Sequence, residues 1–328
     1  MEDGFKEAGN EVQVFVDNPK HYSEFLSRVF NKLNLGKSSS GWSEKYRDFL
    51  VQELFKKIQE LKPDLVFVYA GLKFPGEAIK AIREKTNIPI ACFVVDDPGF
   101  NNAKMLHDLS FYSHLFVIDK SWIPILKIAN PCVVSYLPHV GNDKVFKPLN
   151  LKKKYDVCFA GNVGLGLPSG PAGYFRASLL NLLAREGYKI KAFLPGFTDE
   201  TLKYFPNIKK IDYETDYKSH TEVNKLYNES RIALSIFGPH IKDCISPRVF
   251  DAALSGCFQI VEYKGGIDEL FPNIPVFKSK DELLKLVDFY LKNDKEREGI
   301  SREVRREALK NHIFKERAKT ICRITSTK

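Results

Sequence analysis

The sequence predicts an α/β protein built from two Rossmann-like domains that face each other across a cleft. Short apolar runs of strand length, such as 65–70 and 231–236, alternate with amphipathic segments of helical period. Such runs are typical of parallel strands that are buried on both faces and joined by helices. The same alternation starts afresh after a stretch rich in proline, glycine and lysine at 138–154. We therefore expect an N-terminal domain over residues 1–150 and a C-terminal domain over residues 151–328, with the last helix packing back on the first domain.

The alternation predicts elements along the whole chain. In the N-terminal half, the predicted strands are 12–16, 65–70, 88–95, 115–118 and 133–136, and the predicted helices are 22–33, 43–61, 75–86 and 121–129, with a break at 38–41. In the C-terminal half, the predicted strands are 155–160, 189–194, 208–211, 231–236, 257–262 and 275–277, and the predicted helices are 173–186, 221–229, 247–255, 265–271 and 281–292, with a charged helical tail over 295–319.

Composition and charge are those of a soluble globular protein with a moderate excess of basic residues. Of the 328 residues, 44% are hydrophobic and 28% are charged, which is ordinary for a globular chain. The 50 lysines and arginines outnumber the 41 aspartates and glutamates. This excess favours polyanionic partners, which include nucleotide phosphates, an anionic membrane surface and nucleic acid, but it does not choose among them.

The apolar runs and the cysteines favour a cytoplasmic location. The longest apolar runs, such as 88–95, are far too short to span a bilayer, and the first residues, M-E-D-G-F-K, lack the pattern of a signal peptide. The six cysteines form no CxxC pair, which favours buried free thiols over a zinc site. The basic tail around Arg302 and Arg306 could touch anionic lipid at the periphery of a membrane, although such a run is more often a solvated helix face.

The segment 246–262, S-P-R-V-F-D-A-A-L-S-G-C-F-Q-I-V-E, has the signals of a helix followed by a buried strand. Ser246 can cap the helix and Gly256 can end it. Arg248 and Asp251 lie three residues apart and share one face of the first turn. A helix N-terminus beside an arginine attracts a phosphate, and an aspartate one turn further can bind ribose hydroxyls. The alternative is an ion pair on a solvated face.

A second motif opens the C-terminal half, where the predicted strand 155–160 runs into G-N-V-G-L-G-L-P-S-G-P-A-G-Y-F-R. A glycine-rich loop between a strand and a helix lets backbone N–H groups approach a phosphate closely. Gly161 and Asn162 begin this loop, and Arg176 at the start of the next helix favours the phosphate interpretation. The spacing matches neither G-x-G-x-x-G nor a P-loop, and a long turn explains the glycines nearly as well.

Three residues of the N-terminal half and the connection are candidates for catalysis. Asp96 and Asp97 follow a buried strand, at the edge where ligands gather in open α/β sheets. They could orient an acceptor hydroxyl or act as a base, or Asp97 could cap the turn before Pro98. His139 follows the strand 133–136 and could face the cleft, or it could be an ordinary histidine of the connection.

The segment from Asp243 to Gly256, D-C-I-S-P-R-V-F-D-A-A-L-S-G, resembles the donor signature of retaining GT-B glycosyltransferases. That signature is an acid, seven residues, a second acid and then A-x-x-x-G. The form S-x-R-x-F-[DE]-A is more specifically similar to the CgeB-like (spore-maturation type) family, related to the family 4-type glycosyltransferases. The further pieces of the resemblance are Asp156 to Asn162, Arg176, Leu137-Pro138-His139, Phe146-Lys147-Pro148, Glu269-Leu270-Phe271, His312 and Arg317.

The resemblance implies a nucleotide-sugar site on the C-terminal domain, with a UDP-sugar as donor substrate, no other cofactor and no metal ligand. Asp251 matches the acid that binds ribose, and Asp243 matches the first acid of the pair. Arg248 and Arg176 match positions near the diphosphate, next to Ser246 and to the loop of Gly161 and Asn162. The sequence departs from the family in three ways. Both acids are Asp where Glu is usual, and the glycine-rich loop is long. The N-terminal half has about five predicted strands, where a full GT-B acceptor domain often has more.

The resemblance implies a metal-independent glycosyltransferase, hexosyltransferase-like and retaining, that acts on a glycan, a protein or a small molecule. Two alternatives stay open at this point. One is a metal-dependent GT-A-type transferase in which Asp96 and Asp97 bind the metal, although the chain has no D-x-D motif. The other is a non-catalytic protein that keeps the fold and binds a nucleotide or, less in keeping with the motifs, nucleic acid.

Overall fold

The computed structural model describes residues 1–15, 39–69, 76–98, 103–129, 132–166, 170–239 and 241–326. The chain forms two compact units. The N-terminal unit contains Gly4–Leu137 together with Glu2 and the tail Lys319–Lys328, and the C-terminal unit contains Pro138–Ala318 together with Met1 and Asp3.

The N-terminal unit is built on a parallel four-stranded sheet of order β1-β2-β3-β4. Its second strand is buried along its whole length, as expected for a parallel strand covered on both faces. The elements of this half are α1 (Glu2–Glu7), α2 (Ser39–Leu61), β1 (Val66–Tyr69), α3 (Gly76–Thr86), β2 (Ile90–Val94), α4 (Ala103–Leu109), β3 (His114–Val117), a 3-10 turn (Lys120–Trp122), α5 (Ile123–Ala129) and β4 (Val133–Tyr136).

The C-terminal unit is built on a parallel six-stranded sheet of order β10-β9-β8-β5-β6-β7. The chain first builds β5, β6 and β7 on one side and then crosses back to β8 and β9 on the other side of β5. Its elements are β5 (Tyr155–Ala160), α6 (Gly170–Arg185), β6 (Ile190–Phe193), α7 (Asp199–Tyr204), a 3-10 turn (Pro206–Lys210), β7 (Asp212–Glu214), α8 (His220–Glu229), β8 (Ser230–Ser235), α9 (Pro247–Leu254), β9 (Phe258–Glu262), α10 (Gly266–Leu270), β10 (Val276–Phe277), α11 (Lys280–Lys292), α12 (Asp294–Asn311) and α13 (Phe314–Ser326).

Two apolar layers sandwich this second sheet. Alternate residues of the strands point to opposite faces, so Val157 belongs to one layer and Cys158 to the other. The first layer contains Leu180 of α6 and Leu283 of α11. The second layer contains residues of α8, α9 and α12, among them Val249. Helices α6 and α9 therefore lie on opposite faces of the sheet, and both begin near its carboxyl edge.

The structure confirms the predicted α/β class with parallel sheets, and most predicted elements lie within a few residues of their observed bounds. The prediction that 12–16 is a strand is wrong for the described residues 12–15, and the predicted break at 38–41 is wrong from Ser39 onwards, where α2 begins. The predicted helix 22–33 lies outside the described residues. Helix α4, which precedes β3, was not predicted.

The prediction of a strand at 208–211 is also wrong. Pro206 opens a 3-10 turn that ends at Lys210, and the strand β7 follows it at Asp212–Glu214. The apolar residues Ile208 and Ile211 predicted a buried strand. Both side chains are indeed buried, although the segment is not a strand. A proline at the first position of the turn fixes the backbone there, and the tighter 3-10 geometry buries the same residues.

The predicted tail 295–319 is two helices rather than one. Helix α12 ends at Asn311 and α13 begins at Phe314. His312 interrupts the pattern because its side chain is buried and its backbone leaves the helical region (φ −130°). Among the described residues, no helix is long and apolar enough to cross a membrane.

Candidate functional site

The carboxyl ends of three neighbouring strands meet at one edge of the C-terminal sheet. Strands β9, β8 and β5 are adjacent and parallel, so the loops that follow them leave the sheet side by side. The carboxyl edge of a parallel sheet is where open α/β proteins bind their ligands. The residues predicted for donor binding lie in the loops and helices that leave this edge.

Arg176 of α6 ties two of these strand ends together. Its Nε donates to the carbonyl of Ile236, which follows β8 (3.2 Å), and its Nη1 donates to the carbonyl of Asn162, which follows β5 (3.0 Å). Burial, and then the charge of Arg248, lower the pKa of Arg176 to about 10, against the opposing effect of Glu262. The guanidinium therefore stays charged at neutral pH, and its environment already contains a second arginine.

Arg248 lies in the first turn of α9, which begins as the sequence predicts. Ser246 is the N-cap residue, Pro247 follows it, and Gly256 lies just beyond the helix with a φ of 69°. The Arg248 Nε is buried and has no hydrogen-bond partner among the described residues. Burial lowers the pKa of Arg248, and nearby Tyr227 and Asp251 oppose that shift. A buried guanidinium nitrogen without a partner is costly, and a bound anion would remove that cost.

Asp251 lies one turn further along α9. Burial raises the pKa of its carboxyl to about 7, while hydrogen bonding from the backbone of Asn142 and the charge of Arg248 act in the opposite direction. The two side chains form no ion pair within 4 Å, so the alternative of a solvated ion pair on this helix face is wrong. A half-buried carboxyl of this kind can accept hydrogen bonds from a ligand's hydroxyl groups.

Asp251 gives this protein a pH-dependent stability. Because the pKa of about 7 exceeds the ordinary 3.8, the folded chain binds this proton more tightly than the unfolded chain does. The free energy of unfolding therefore falls as pH rises from about 4 to about 7, and each pKa unit corresponds to about 1.4 kcal/mol. Relative to wild type, Asp251→Asn should gain stability over this range by up to about 4 kcal/mol.

Thermal unfolding of both chains at pH 5 and at pH 8 measures this effect. The lowered pKa values of His139 and His312, each about 4, act in the opposite direction in both chains, so they cancel in the comparison. Asparagine keeps the shape of the side chain and an acceptor for Asn142. A difference in melting temperature that is the same at both pH values would contradict the raised pKa.

His139 belongs to the C-terminal unit and lies near Arg248. Burial, then Arg317 and Arg248, lower the pKa of His139 to about 4, so the imidazole is neutral at physiological pH. The guanidinium of Arg317 fixes this part of the chain, because Nε donates to the carbonyl of Pro138 and Nη2 to the carbonyl of His139 (both 3.0 Å). His139 and Arg248, predicted from separate motifs, thus come close enough for the charge of Arg248 to affect the pKa of His139.

His312 and Arg317, which the resemblance singled out, form a buried structural network. Nη2 of Arg317 donates to Nδ1 of His312 (2.9 Å), so Nε2 carries the proton that bonds the carbonyl of Leu270 (3.1 Å). The backbone carbonyl of His312 in turn accepts from the N–H of Gly141 (3.2 Å). This network holds the segment that contains His139 against the end of α12.

The other residues predicted to bind the sugar donor form hydrogen bonds within the loops at this edge. Asn162 Oδ1 accepts from the backbone N–H of Gly164 (2.7 Å), which shapes the turn after β5, and the N–H of Gly161 donates to Phe193 (3.0 Å). Asp243 is half-buried in the loop after β8, and its backbone carbonyl accepts from the N–H of Gly266 (3.0 Å). These contacts stabilise the loops that surround Arg176 and Arg248.

The sequence analysis did not identify two sets of polar residues in this region. Glu262, the last residue of β9, accepts from the N–H of Phe237 (2.7 Å) and pairs with Lys264 (3.0 Å). Its signal was weak, because a polar residue that ends an apolar strand is common. Asn224 and Asn228 of α8 bind the backbone of Lys147 and Leu149 through bonds that span 77 to 81 residues. Nothing local in the sequence indicates such long-range partners.

Asp96 and Asp97 lie in the N-terminal unit, directly after β2. Asp96 is exposed and Asp97 is half-buried. Burial, and then the charge of Asp96, raise the pKa of Tyr69 at the end of β1. Both aspartates therefore lie at the carboxyl edge of their own sheet. Their role in catalysis stays a prediction.

The loop after β5 depends on a close backbone approach that replacement of one glycine would disrupt. A Cβ at Gly173 would lie 2.0 Å from the carbonyl oxygen of Gly164 and 2.9 Å from its carbon. Gly173→Ala should therefore displace the loop, lower the free energy of unfolding by about 1–3 kcal/mol and weaken any ligand at this edge. Gly166→Ala in the same loop is the matched control, because a Cβ there meets nothing within 4 Å. Equal melting temperatures for the two variants would contradict this packing.

The fold is similar to that of solved glycosyltransferases of the GT-B type, which agrees with the α/β fold that the sequence predicts. The Anabaena protein Alr3699/HepE, solved with UDP and glucose, has a TM-score of 0.64 at 12% identity, over 85% of this chain and 82% of that one. The N-terminal domain of Candida albicans trehalose-6-phosphate phosphatase has 0.60 at 11% identity, over 97% and 83%. A UDP-forming trehalose-phosphate synthase from Burkholderia vietnamiensis has 0.61 at 10% identity, over 90% and 77%.

The sequence itself also matches a family. Residues 176–323 match the model of the family described as "Glycosyl transferase-like". The match begins at Arg176 and contains Asp243, Arg248 and Asp251, so it covers most of the predicted donor residues. No curated protein matches the chain. Among the described residues, no group of three or more His, Cys, Asp or Glu side chains is arranged to hold a metal ion.

Proposed function

We propose that the protein is a glycosyltransferase that moves a sugar from a nucleoside-diphosphate sugar, a UDP-sugar in preference, to a separate acceptor. The observation that carries the proposal is the buried, unpartnered Nε of Arg248 beside the charge of Arg176. Two neighbouring guanidinium groups repel each other, and a diphosphate would compensate both charges. The family match over residues 176–323 and the UDP-bound GT-B neighbour support the same conclusion.

Each residue of the carboxyl edge has a defined part in this proposal. Arg248, at the N-terminus of α9, and Arg176 bind the diphosphate and stabilise the charge that develops on it as the sugar leaves. Asp251 accepts hydrogen bonds from ribose hydroxyls, and Asp243 binds the transferred sugar. The loop of Gly161 and Asn162 borders the phosphates.

The acceptor side of the proposal uses Asp97, with Asp96 and His139 as further candidates. Asp97 would take the proton of the acceptor hydroxyl, or orient that hydroxyl, at the carboxyl edge of the N-terminal sheet. His139 is neutral at physiological pH, so it can accept or donate a hydrogen bond near the diphosphate without adding to the positive charge. The acceptor itself is a glycan, a protein or a small molecule.

The CgeB-like resemblance extends the proposal to a retaining mechanism. Asp243 and Asp251 keep the spacing of the two acids in the donor signature of retaining enzymes, although both are shortened by one methylene. The anomeric configuration of the product, read from the proton NMR coupling of the new glycosidic bond, tests this part. An inverted anomeric centre would refute the retaining mechanism and leave the donor site untouched.

A thermal-shift series with UDP, GDP, ADP and dTDP tests donor binding. A ligand at 100 times its dissociation constant stabilises the folded state by about 2.7 kcal/mol, and we expect UDP to raise the melting temperature most. Release of UDP from UDP-sugars in the presence of acceptor mixtures then tests transfer. Binding without turnover for every acceptor would favour the non-catalytic alternative, and no binding of any nucleotide would refute the proposal.

Sugar transfer should not depend on a divalent cation. In the proposed site the two arginines supply the positive charge that stabilises the leaving diphosphate, a part that a bound cation plays in other transferases. We expect the rate of transfer to be unchanged in excess EDTA and unchanged by added manganese or magnesium. Loss of activity in EDTA that manganese restores would move the assignment to a metal-dependent mechanism.

A further inference from the structure

An open cavity of about 650 Å³ lies at the opposite, amino edge of the C-terminal sheet. Strands β5, β6 and β7 are parallel and adjacent on this side, so their first residues lie side by side. The three chain segments that enter these strands line the cavity, namely 152–155, 188–190 and 210–212. Its volume lies within the range of small-molecule sites.

Lysines from all three segments surround this cavity. They are Lys152, Lys153, Lys154, Lys189 and Lys210. Lys154 pairs with Glu229 (2.6 Å). The other four have no carboxylate within 4 Å among the described residues.

The acid that lines the cavity does not compensate these four charges. Asp212 is the acidic residue of the lining, and it already binds the Nζ of Lys191 (2.8 Å) and the hydroxyl of Tyr155 (3.0 Å). Elsewhere at this part of the sheet the chain pairs its lysines closely, since Lys191 and Lys218 both contact Glu214. Lys152, Lys153, Lys189 and Lys210 thus share a concave surface and have no carboxylate within 4 Å among the described residues, whereas Lys191 and Lys218 are both paired with acids.

This cavity is separate from the proposed donor site. Strand β5 runs from Tyr155 at the cavity to Ala160, next to the loop of Gly161. Six residues of strand at about 3.3 Å each separate the two edges by about 15–20 Å. A ligand in the cavity therefore cannot contact Arg248 or Arg176 at the same time unless it crosses the sheet.

We propose that the cavity binds an anion with two or more phosphate groups. Four ammonium groups on one concave surface repel one another, and a polyphosphate would compensate several of them together. The lysines have the flexibility to reach separate phosphates as point charges. The ring of Tyr155, with the Nζ of Lys189 5.7 Å from its centroid, adds a flat surface for a part of the ligand between or beside the phosphates.

Calorimetric titration with sodium tripolyphosphate tests the proposal on the full-length chain. We expect the double variant Lys153→Ala/Lys210→Ala to raise the dissociation constant of tripolyphosphate about tenfold or more. Each substitution removes one ammonium group that would donate a hydrogen bond to a phosphate. Lys203→Ala/Lys285→Ala is the matched control: both lysines are exposed, neither lines the cavity, and the charge change is the same. Arg248→Ala, titrated in parallel, reports any binding of the probe at the donor site. Near-ultraviolet circular dichroism checks that all variants fold.

The outcomes separate the sources of phosphate. A loss confined to Lys153→Ala/Lys210→Ala supports a soluble polyphosphorylated ligand. The same loss seen only in sedimentation with phosphatidylcholine–phosphatidylglycerol vesicles, without binding of tripolyphosphate, assigns the phosphates to lipid head groups. Equal affinities for the two double variants with both probes, or a loss caused only by Arg248→Ala, would overturn the proposal. Neither result depends on whether the chain transfers sugar.

Discussion

Replacing Arg248 by alanine should weaken the binding of UDP much more than the binding of uridine. A hydrogen bond to a charged group contributes about 1.5–3 kcal/mol, so the dissociation constant of UDP should rise about 10- to 150-fold. Uridine lacks the diphosphate, and its affinity should change by less than about threefold. Isothermal titration with both ligands measures the difference. Arg302→Ala is the control, because that arginine is exposed on α12 and its pairing with Glu298 is loose (3.9 Å).

The same variant has a second readout that does not need a nucleotide. Burial and Arg317 lower the pKa of His139 to about 4, and Arg248 adds a smaller effect in the same direction, so removal of the Arg248 charge should raise that pKa. A proton NMR titration of the histidine resonances measures the shift. An equal loss of affinity for UDP and uridine would contradict a contact with the diphosphate, and an unchanged pKa of His139 would contradict an effect of the Arg248 charge on that imidazole.

Replacing Asp97 by asparagine should slow sugar transfer while donor binding stays unchanged. A positioned acid or base contributes about 10²–10⁴ to a rate, and asparagine keeps the size of the side chain but cannot take a proton. The turnover rate with saturating donor and acceptor, together with the dissociation constant of UDP, separates the two effects.

Asp64→Asn is the matched control for Asp97→Asn. Asp64 is exposed and precedes β1, so it lies at the amino edge of the sheet whose carboxyl edge contains Asp97. A folded Asp97→Asn variant that transfers sugar at the wild-type rate would leave Asp97 as a turn residue before Pro98. Asp96 and His139 would then be the next positions to replace.

The sequence was most informative where its signals are local. Ser246, Pro247 and Gly256 each act within one turn of helix, and α9 begins and ends where they predict. Buried parallel strands such as β2 can also be recognised in the sequence, because both of their faces require apolar side chains. Elements that depend on distant partners were missed or misassigned. Ile208 is buried whether its segment is a strand or a 3-10 turn, so burial alone could not decide its structure.

The candidate site follows the same rule. Arg248 and Asp251 could be found because they belong to one short motif. The carbonyl partners of Arg176, at residues 162 and 236, and the bond from Phe237 to Glu262 come from separate strand ends that only the folded sheet brings together. The effect of Arg248 on His139 joins positions more than a hundred residues apart, and no spacing rule describes such a pair.

The network of Arg317 also has a consequence for the order in which this protein can be made. The bond from Arg317 to Pro138 closes a loop of 179 residues, and the bond to His139 closes one of 178. A ribosome adds residues from the N-terminus at a finite rate, so the segment of His139 emerges long before its anchor. The strands from β5 to β10 can pair earlier, but the bonds that anchor Pro138 and His139 form only after Arg317 of α13 has been synthesised. Completion of the site is therefore among the last events of folding on the ribosome.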